Sequence, residues 1–200
     1  MRGVKPERAA LMRCAAVLVI VAALAAVPAA AQEVQASSQP LRLAGTAPAA
    51  CVLSAPVVDA ASNASFAVTG ASSAQIAITQ LVDTQTATSL ASAIELSLPV
   101  TCNASNIVTV RTTNGGLRRG GSAAGAATPG GFSEFLGYRL GLDWAGQSLD
   151  QPSTAGGATI ASPRPGRGNM VLRVATAAGS GPLVAGRYDD AIVIEIHAAN

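Results

Sequence analysis

The sequence predicts an all-β sandwich, and three observations support this fold class. Short segments in which apolar and polar residues alternate recur along the chain, and this period of two is typical of strands with one buried face. Turn residues separate these segments, and no convincing helix is found among them. The third observation is the pair Cys51 and Cys102, which lies in the part of the chain expected to be exported.

The N-terminus has the features of a secretory signal peptide. Residues 1–13 contain four basic side chains, an apolar run from Cys14 to Val27 follows, and a small-residue stretch ends at Ala31. This order of regions is typical of a cleaved leader. The run is too short and too rich in alanine to favour a membrane anchor. We therefore expect residues 1–31 to be removed and the exported chain to have no membrane span.

Leader removal changes the charge of the chain. The whole sequence has 13 basic and 11 acidic residues, of which the leader holds four basic residues and one acid. The remainder contains no lysine and has a net charge of about −1. Nucleic-acid binding needs clustered positive charge, and the only basic pair, Arg118–Arg119, lies in a glycine-rich stretch that favours a solvated loop. We expect no nucleic-acid partner.

Cys51 and Cys102 are the cysteines that remain after leader removal. An even pair in an exported chain implies one disulfide, and closing a loop of about 52 residues stabilises a fold by roughly 4 kcal/mol in the chain-entropy model. Metal ligation and a free nucleophile are the alternatives. One histidine in the whole chain makes a poor metal set.

Nine segments have strand patterns. The first carries Leu41 and Leu43 two residues apart, and the second is a short apolar run that begins at the first cysteine. The fifth alternates up to the second cysteine, the sixth ends in an Asn-Gly turn signal, and the last alternates three isoleucines with other residues. The third and fourth segments alternate as well, and the seventh carries Tyr138, Leu140 and Leu142 on one face. In order, the segments are residues 40–46, 51–58, 64–70, 74–82, 93–102, 106–116, 135–144, 168–176 and 191–198. Two stretches rich in Gly, Ala, Ser and Pro, residues 118–131 and 153–168, are expected to be flexible surface loops.

Candidate catalytic residues are few. A Ser-His-Asp triad needs a positioned histidine, and His197 lies on the last predicted strand, where a surface or half-buried position is expected. Asp189 and Asp190 suit a turn before a strand. Trp144 would be able to line a sugar site, although a lone Trp near a turn is more often a packed anchor. We predict no enzymatic activity, no cofactor and no metal site.

Four short motifs occur in a definite order and spacing: LRLAGTAPAAC leads into the first cysteine, LPVTCN surrounds the second, YRLGLD follows, and VAGRYDDAIVIEI comes near the end. In this order they resemble the spore coat protein U domain and its relatives among the subunits of archaic chaperone–usher pili. The resemblance covers most of residues 41–197. The chain departs from the family pattern in its last residues, HAAN, and in the looser region 118–168.

The resemblance implies an immunoglobulin-like, pilin-type sandwich that lacks its final strand and is completed by a donor strand from another chain. The function it implies is that of an exported structural subunit of a surface fimbria, serving adhesion or biofilm formation. Its partners would be a periplasmic chaperone, an outer-membrane usher and neighbouring subunits. The protein would pass through the periplasm to the cell surface.

The same resemblance assigns roles along the chain. Residues 32–50 would be an N-terminal extension, and residues 51–200 the sandwich domain. Leu41 and Leu43 would lie on the donor strand. The edge of the assembly groove would be formed by Ile192, Ile194 and Ile196.

Two other classes of protein remain open. One is a self-contained secreted coat domain, in which residues 40–46 pair within their own chain. The other is a carbohydrate-binding module that uses Trp144 and Tyr138. A chain that is soluble without a chaperone would favour the first, and sugar binding lost on changing Trp144 would favour the second.

Overall fold

The structure of the protein is a computed structural model that describes residues 42–122 and 129–199. The predicted signal peptide, residues 1–31, and Leu41 of the predicted donor strand lie outside the described residues. Residues 45–199 belong to one compact unit.

The described residues form strands and two short 3₁₀ turns, with no α-helix among them, so the prediction of an all-β fold is confirmed. The 3₁₀ turns span Pro129–Gly131 and Ser153–Ala155. The strands are β1 (Cys51–Leu53), β2 (Val57–Ser62), β3 (Ala64–Gly70), β4 (Ser73–Ile78), β5 (Ser92–Cys102), β6 (Asn106–Thr112), β7 (Leu117–Arg119), β8 (Phe135–Leu136), β9 (Arg139–Trp144), β10 (Gln147–Pro152), β11 (Gly157–Ser162), β12 (Gly166–Thr176), β13 (Tyr188–Asp189) and β14 (Ile192–Ala198).

The strands pair into antiparallel sheets. In the larger sheet, β1 and β2 lie end to end along one side of β5, and β12, β9 and β10 follow on its other side. The smaller sheet has the order β11-β6-β14. Two further units are the short sheet β13-β7-β8 and the β3–β4 hairpin.

The core lies between the inner faces of the larger and smaller sheets, as in a β-sandwich. Strand β5 alternates inward aliphatic residues with outward polar ones, which is the reason that one of its faces is buried. Its neighbours and the smaller sheet supply the rest of the cluster, and each fully buried aliphatic side chain contributes roughly 1.5–3 kcal/mol. The buried cluster consists of Ile94, Leu96, Leu98, Val100, Cys102, Val108, Val110, Tyr138, Leu140, Leu142, Trp144, Ile160, Met170 and Leu172.

Among the described residues, three predicted strands are absent or divided, and two others, 74–82 and 106–116, end earlier than predicted, at Ile78 and Thr112. The segment 40–46 forms no strand in its described part, residues 42–46. The segment 51–58 is divided into β1 and β2 by residues 54–56, which belong to no strand, and Pro56 has no N–H to donate to a ladder. The segment 135–144 is divided into β8 and β9.

The prediction of a flexible loop at residues 153–168 is wrong. Strand β11 pairs with β6 along its whole length, and β12 begins at Gly166. Ile160 is buried in the core, and Ala158 packs against it from the same face. The small side chains that share this face with Ile160 conceal the alternation, because their hydropathy differs little from that of the outward residues.

The basic pair Arg118–Arg119 is also placed differently from the prediction. Both residues belong to β7, which pairs with β8 and β13. Arg119 donates to the carboxylate of Glu134 at 2.6 Å, and its Nε donates to the carbonyl of Ala185 at 3.0 Å. The interpretation of this pair as part of a solvated loop is therefore wrong.

Candidate functional site

Strand β14 is an edge strand of the smaller sheet. It pairs with β6 along its whole length, and among the described residues no strand pairs along its other edge. Ile192, Ile194 and Ile196 are half-buried and pack against the core. An edge strand offers unpaired N–H and C=O groups to another chain. The assignment of these isoleucines to an assembly groove stays a prediction.

A groove with a volume of about 970 Å³, lined by apolar and polar side chains in similar measure, lies beside the isoleucine face of β14. Ile192 and Ile194 line one side of it, and Ile76 and Ile78 of the β3–β4 hairpin also line it. The lining includes buried side chains of the sandwich, so the groove reaches the core. From the larger sheet and its β1 edge, the aliphatic lining residues are Leu53, Ile94, Leu96, Leu98, Leu172 and Val174.

A hydrogen-bond cluster around Asp190 fixes the start of β14. The carboxylate accepts from the backbone N–H of Asn114 at 2.7 Å, from that of Gly116 at 2.9 Å and from the hydroxyl of Tyr138 at 2.9 Å. Burial, and then the negative charge of Asp190, raise the pKa of the Tyr138 hydroxyl well above its usual value. Sequence reasoning assigned Asp190 only to a turn, because an aspartate before a strand carries no signal of its distant partners.

An ion pair stabilises the outward face of β14. The guanidinium of Arg111 on β6 donates to both carboxylate oxygens of Glu195, each at 2.9 Å. Both side chains are substantially exposed, so we assign the pair no more than the ordinary contribution of a surface pair, about 0.2–1 kcal/mol. The pair therefore lies on the face of β14 opposite Ile192, Ile194 and Ile196.

The disulfide Cys51–Cys102 is present, which confirms the prediction. The two cysteines are directly opposite each other where β1 pairs with β5, with their Cα atoms 4.1 Å apart. Next to them, Asn103 accepts from the N–H of Ala50 at 2.7 Å and donates its side-chain amide to the carbonyl of Pro48 at 2.8 Å. Asn103, the residue that follows β5, thus fastens residues 48–50, which precede Cys51, to the domain. The sequence alone does not indicate this role.

The described part of the predicted extension is exposed. Residues 42–50 form no strand, and all of them are solvent-accessible. Leu43 is 98% exposed, which is unusual for a leucine. Its assignment to a donor strand stays a prediction.

The aromatic residues considered for sugar binding are buried. Trp144 is 3% exposed and Tyr138 is 5% exposed, so neither ring offers a face for stacking on a sugar. The indole N–H of Trp144 donates to the side-chain oxygen of Asn106 at 2.8 Å, which joins the larger sheet to the smaller one. Trp144 is therefore the packed anchor that the sequence favours. His197 is exposed on β14.

Residues 42–122 and 129–199 contain no cluster of three or more His, Cys, Asp or Glu side chains placed to hold a metal ion. In the same ranges there is no helix of the length and apolar character needed to cross a membrane.

Comparison of the chain with protein-family models, with curated proteins and with solved structures finds no match.

Proposed function

We propose that this chain is an exported structural subunit of a surface fimbria, assembled by donor-strand exchange through a chaperone and an usher. The observation that carries the proposal is the groove beside the open edge of β14, whose lining includes aliphatic side chains of the core. In this proposal the domain is an immunoglobulin-like, pilin-type sandwich whose last strand is supplied by another chain. The groove is the place for that strand.

The energetics favour an extended apolar segment in the groove. Such a segment gains main-chain hydrogen bonds from β14 and side-chain contacts from Ile192 and Ile194, which is the usual form of β-strand addition. Each leucine buried there contributes roughly 1.5–3 kcal/mol. An empty groove with an open strand edge is an aggregation hazard, and a periplasmic chaperone would remove that hazard before assembly.

The proposed donor is the N-terminal extension of a second copy. Leu41 and Leu43 are two residues apart, so their side chains point to one face of an extended strand. Residues 32–47 precede the segment held by Asn103 and span about 50 Å when extended, whereas the seven residues of β14 span about 23 Å. The segment is thus long enough to fill the groove and to leave a linker.

The contact is head-to-tail, because the groove and the extension are different surfaces of the chain. A heterologous contact of this kind gives an open filament and not a closed ring. The partners in this proposal are a periplasmic chaperone, an outer-membrane usher and neighbouring subunits. The final location is the cell surface, where the fibre would serve adhesion or biofilm formation.

The experiment compares two charged substitutions on β14. Ile194→Asp places a carboxylate in the groove, whereas Val193→Asp places the same charge on the opposite face, next to Arg111. In cells that carry the cognate chaperone and usher, we expect Val193→Asp to give surface fibres and Ile194→Asp to give none. Surface fibres at wild-type level from Ile194→Asp would overturn the proposal. A wild-type chain that stays a soluble monomer without any chaperone would favour the self-contained coat domain.

A further inference from the structure

The β3–β4 hairpin is a separate two-stranded unit. Its strands pair with each other, and among the described residues neither of them pairs with a strand of the two large sheets. In sequence it is inserted between β2, at the edge of the larger sheet, and β5, the next strand inward. The hairpin is therefore attached at its base and by side-chain packing, without a backbone ladder along its length.

Asn63 fixes the base of the hairpin. Its backbone has a φ of 51°, a left-handed conformation that asparagine tolerates better than most residues. Its side-chain amide donates to the carbonyls of Gln80 at 2.7 Å and Ala91 at 3.1 Å, and its oxygen accepts from the N–H of Gln80 at 2.9 Å. The start and the end of the hairpin are thus joined to each other and to the chain just before β5.

One face of the hairpin points to the sandwich and carries its larger apolar residues. Phe66 and Ile76 are directly opposite each other in the hairpin register, and both pack against the core. Ile78 lies on the same face, is half-buried and lines the groove. Val68, farther toward the tip, is 55% exposed and does not line the groove. The hairpin therefore contributes a wall of the groove along the whole of β4, from the tip at residues 70–73 to Ile78.

We infer that the β3–β4 hairpin is a clamp for the strand that enters the groove, with Ile78 as a specificity-determining contact. The inference rests on the proposed function, and the occupant is the N-terminal extension of a second copy of this chain. The entering strand contacts Ile192 and Ile194 on one side and Ile78 on the other. The hairpin increases the affinity for the entering strand through side-chain contacts alone.

The chemistry of the extension fits this clamp. The charged lining residues of the groove are Arg187, Asp189 and Asp190, which lie next to one another in sequence before β14, and the rest of the lining is uncharged. Two leucines that point to the same face of a strand match the aliphatic, uncharged part of the groove away from these residues. Arg42, between them, points to the opposite face and remains in solvent.

The test measures binding of a labelled synthetic peptide of residues 32–50 to the full-length exported chain as it is released at low concentration from its chaperone complex, with the peptide in excess. The Ile78→Ser variant should bind about tenfold more weakly than the wild type, because a single aliphatic contact is lost. The Val68→Ser variant is the matched control and should bind as the wild type does. Equal affinities for the wild type and Ile78→Ser would overturn the clamp.

Hydrogen exchange provides a second measurement that does not depend on a substitution. Peptide binding should slow amide exchange in residues 64–78, and unchanged exchange there would contradict the clamp. The two proposals fail differently. If the wild-type chain does not bind the peptide, both the proposed function and the clamp are refuted. If Ile194→Asp abolishes peptide binding but Ile78→Ser leaves it intact, only the clamp is refuted.

Discussion

Replacing Leu43 with aspartate should separate folding from assembly. Leu43 is 98% exposed, so the substitution removes no packing from its own chain, and its effect on the free energy of unfolding should stay within about 0.5 kcal/mol. In the groove of a neighbouring subunit, the same change removes roughly 1.5–3 kcal/mol of leucine burial. It also leaves a carboxylate without a partner in an apolar site, which costs at least about 1–3 kcal/mol.

The two contributions add to roughly 2.5–6 kcal/mol, which corresponds to about 10²- to 10⁴-fold weaker binding of the extension. The assay is the peptide titration described above, with the Leu43→Asp peptide in place of the wild-type peptide. Arg42→Asp is the matched control, because residue 42 faces away from the groove in the same strand. It should reduce affinity by less than about threefold, as expected for an exposed charge.

Fibre formation gives the corresponding result in cells. The Leu43→Asp chain should be exported and folded, with the same melting temperature as the wild type, but it should not extend fibres from its own extension. Normal fibres from this variant would refute the donor-strand reasoning. Loss of the folded chain would show instead that residues 40–46 pair within their own domain.

Two further predictions concern the domain itself. Replacing Cys51 or Cys102 with serine should lower the free energy of unfolding by about 2–5 kcal/mol, measured by denaturant titration, and an unchanged midpoint would contradict a stabilising role of the bond. The pKa of Tyr138 is higher in the folded state than in the unfolded chain. The protonated Tyr138 hydroxyl therefore stabilises the fold at pH values below the ordinary tyrosine pKa of 10.0, and this stabilisation is lost as the pH rises above that value. In an alkaline titration followed by tyrosinate absorbance, Tyr138 should ionise only as the domain unfolds, and normal ionisation of both tyrosines in a folded chain would argue against the Asp190 cluster.

The sequence is informative where large side chains alternate. The four inward aliphatic residues of β5 are separated by less apolar residues, and Glu195 separates Ile194 from Ile196 in β14, so the strand period is visible without the structure. The even pair of cysteines likewise predicts the disulfide. Strand β11 is different, because small residues occupy inward and outward positions alike, and only pairing with β6 shows which face is buried.

Contacts between distant residues are the part that sequence alone does not show. Asp190 bonds to groups on two other segments, and Asn103 holds the chain before Cys51. Neither residue stands out from the other turn residues near it, because its partners are close in space and far apart in sequence. The hairpin base at Asn63 is a third case, in which an ordinary Asn-Ala-Ser stretch hides a left-handed backbone position.

The disulfide also determines how the domain responds to mechanical force. A force applied to the chain from the N-terminal side first acts on the hydrogen bonds that join Asn103 to Pro48 and Ala50. It then reaches Cys51, where a covalent bond passes the force to Cys102 at the end of β5, an interior strand of the larger sheet. The three-residue ladder of β1 therefore does not have to resist peeling, and the tension is distributed over the long pairing of β5 with β12.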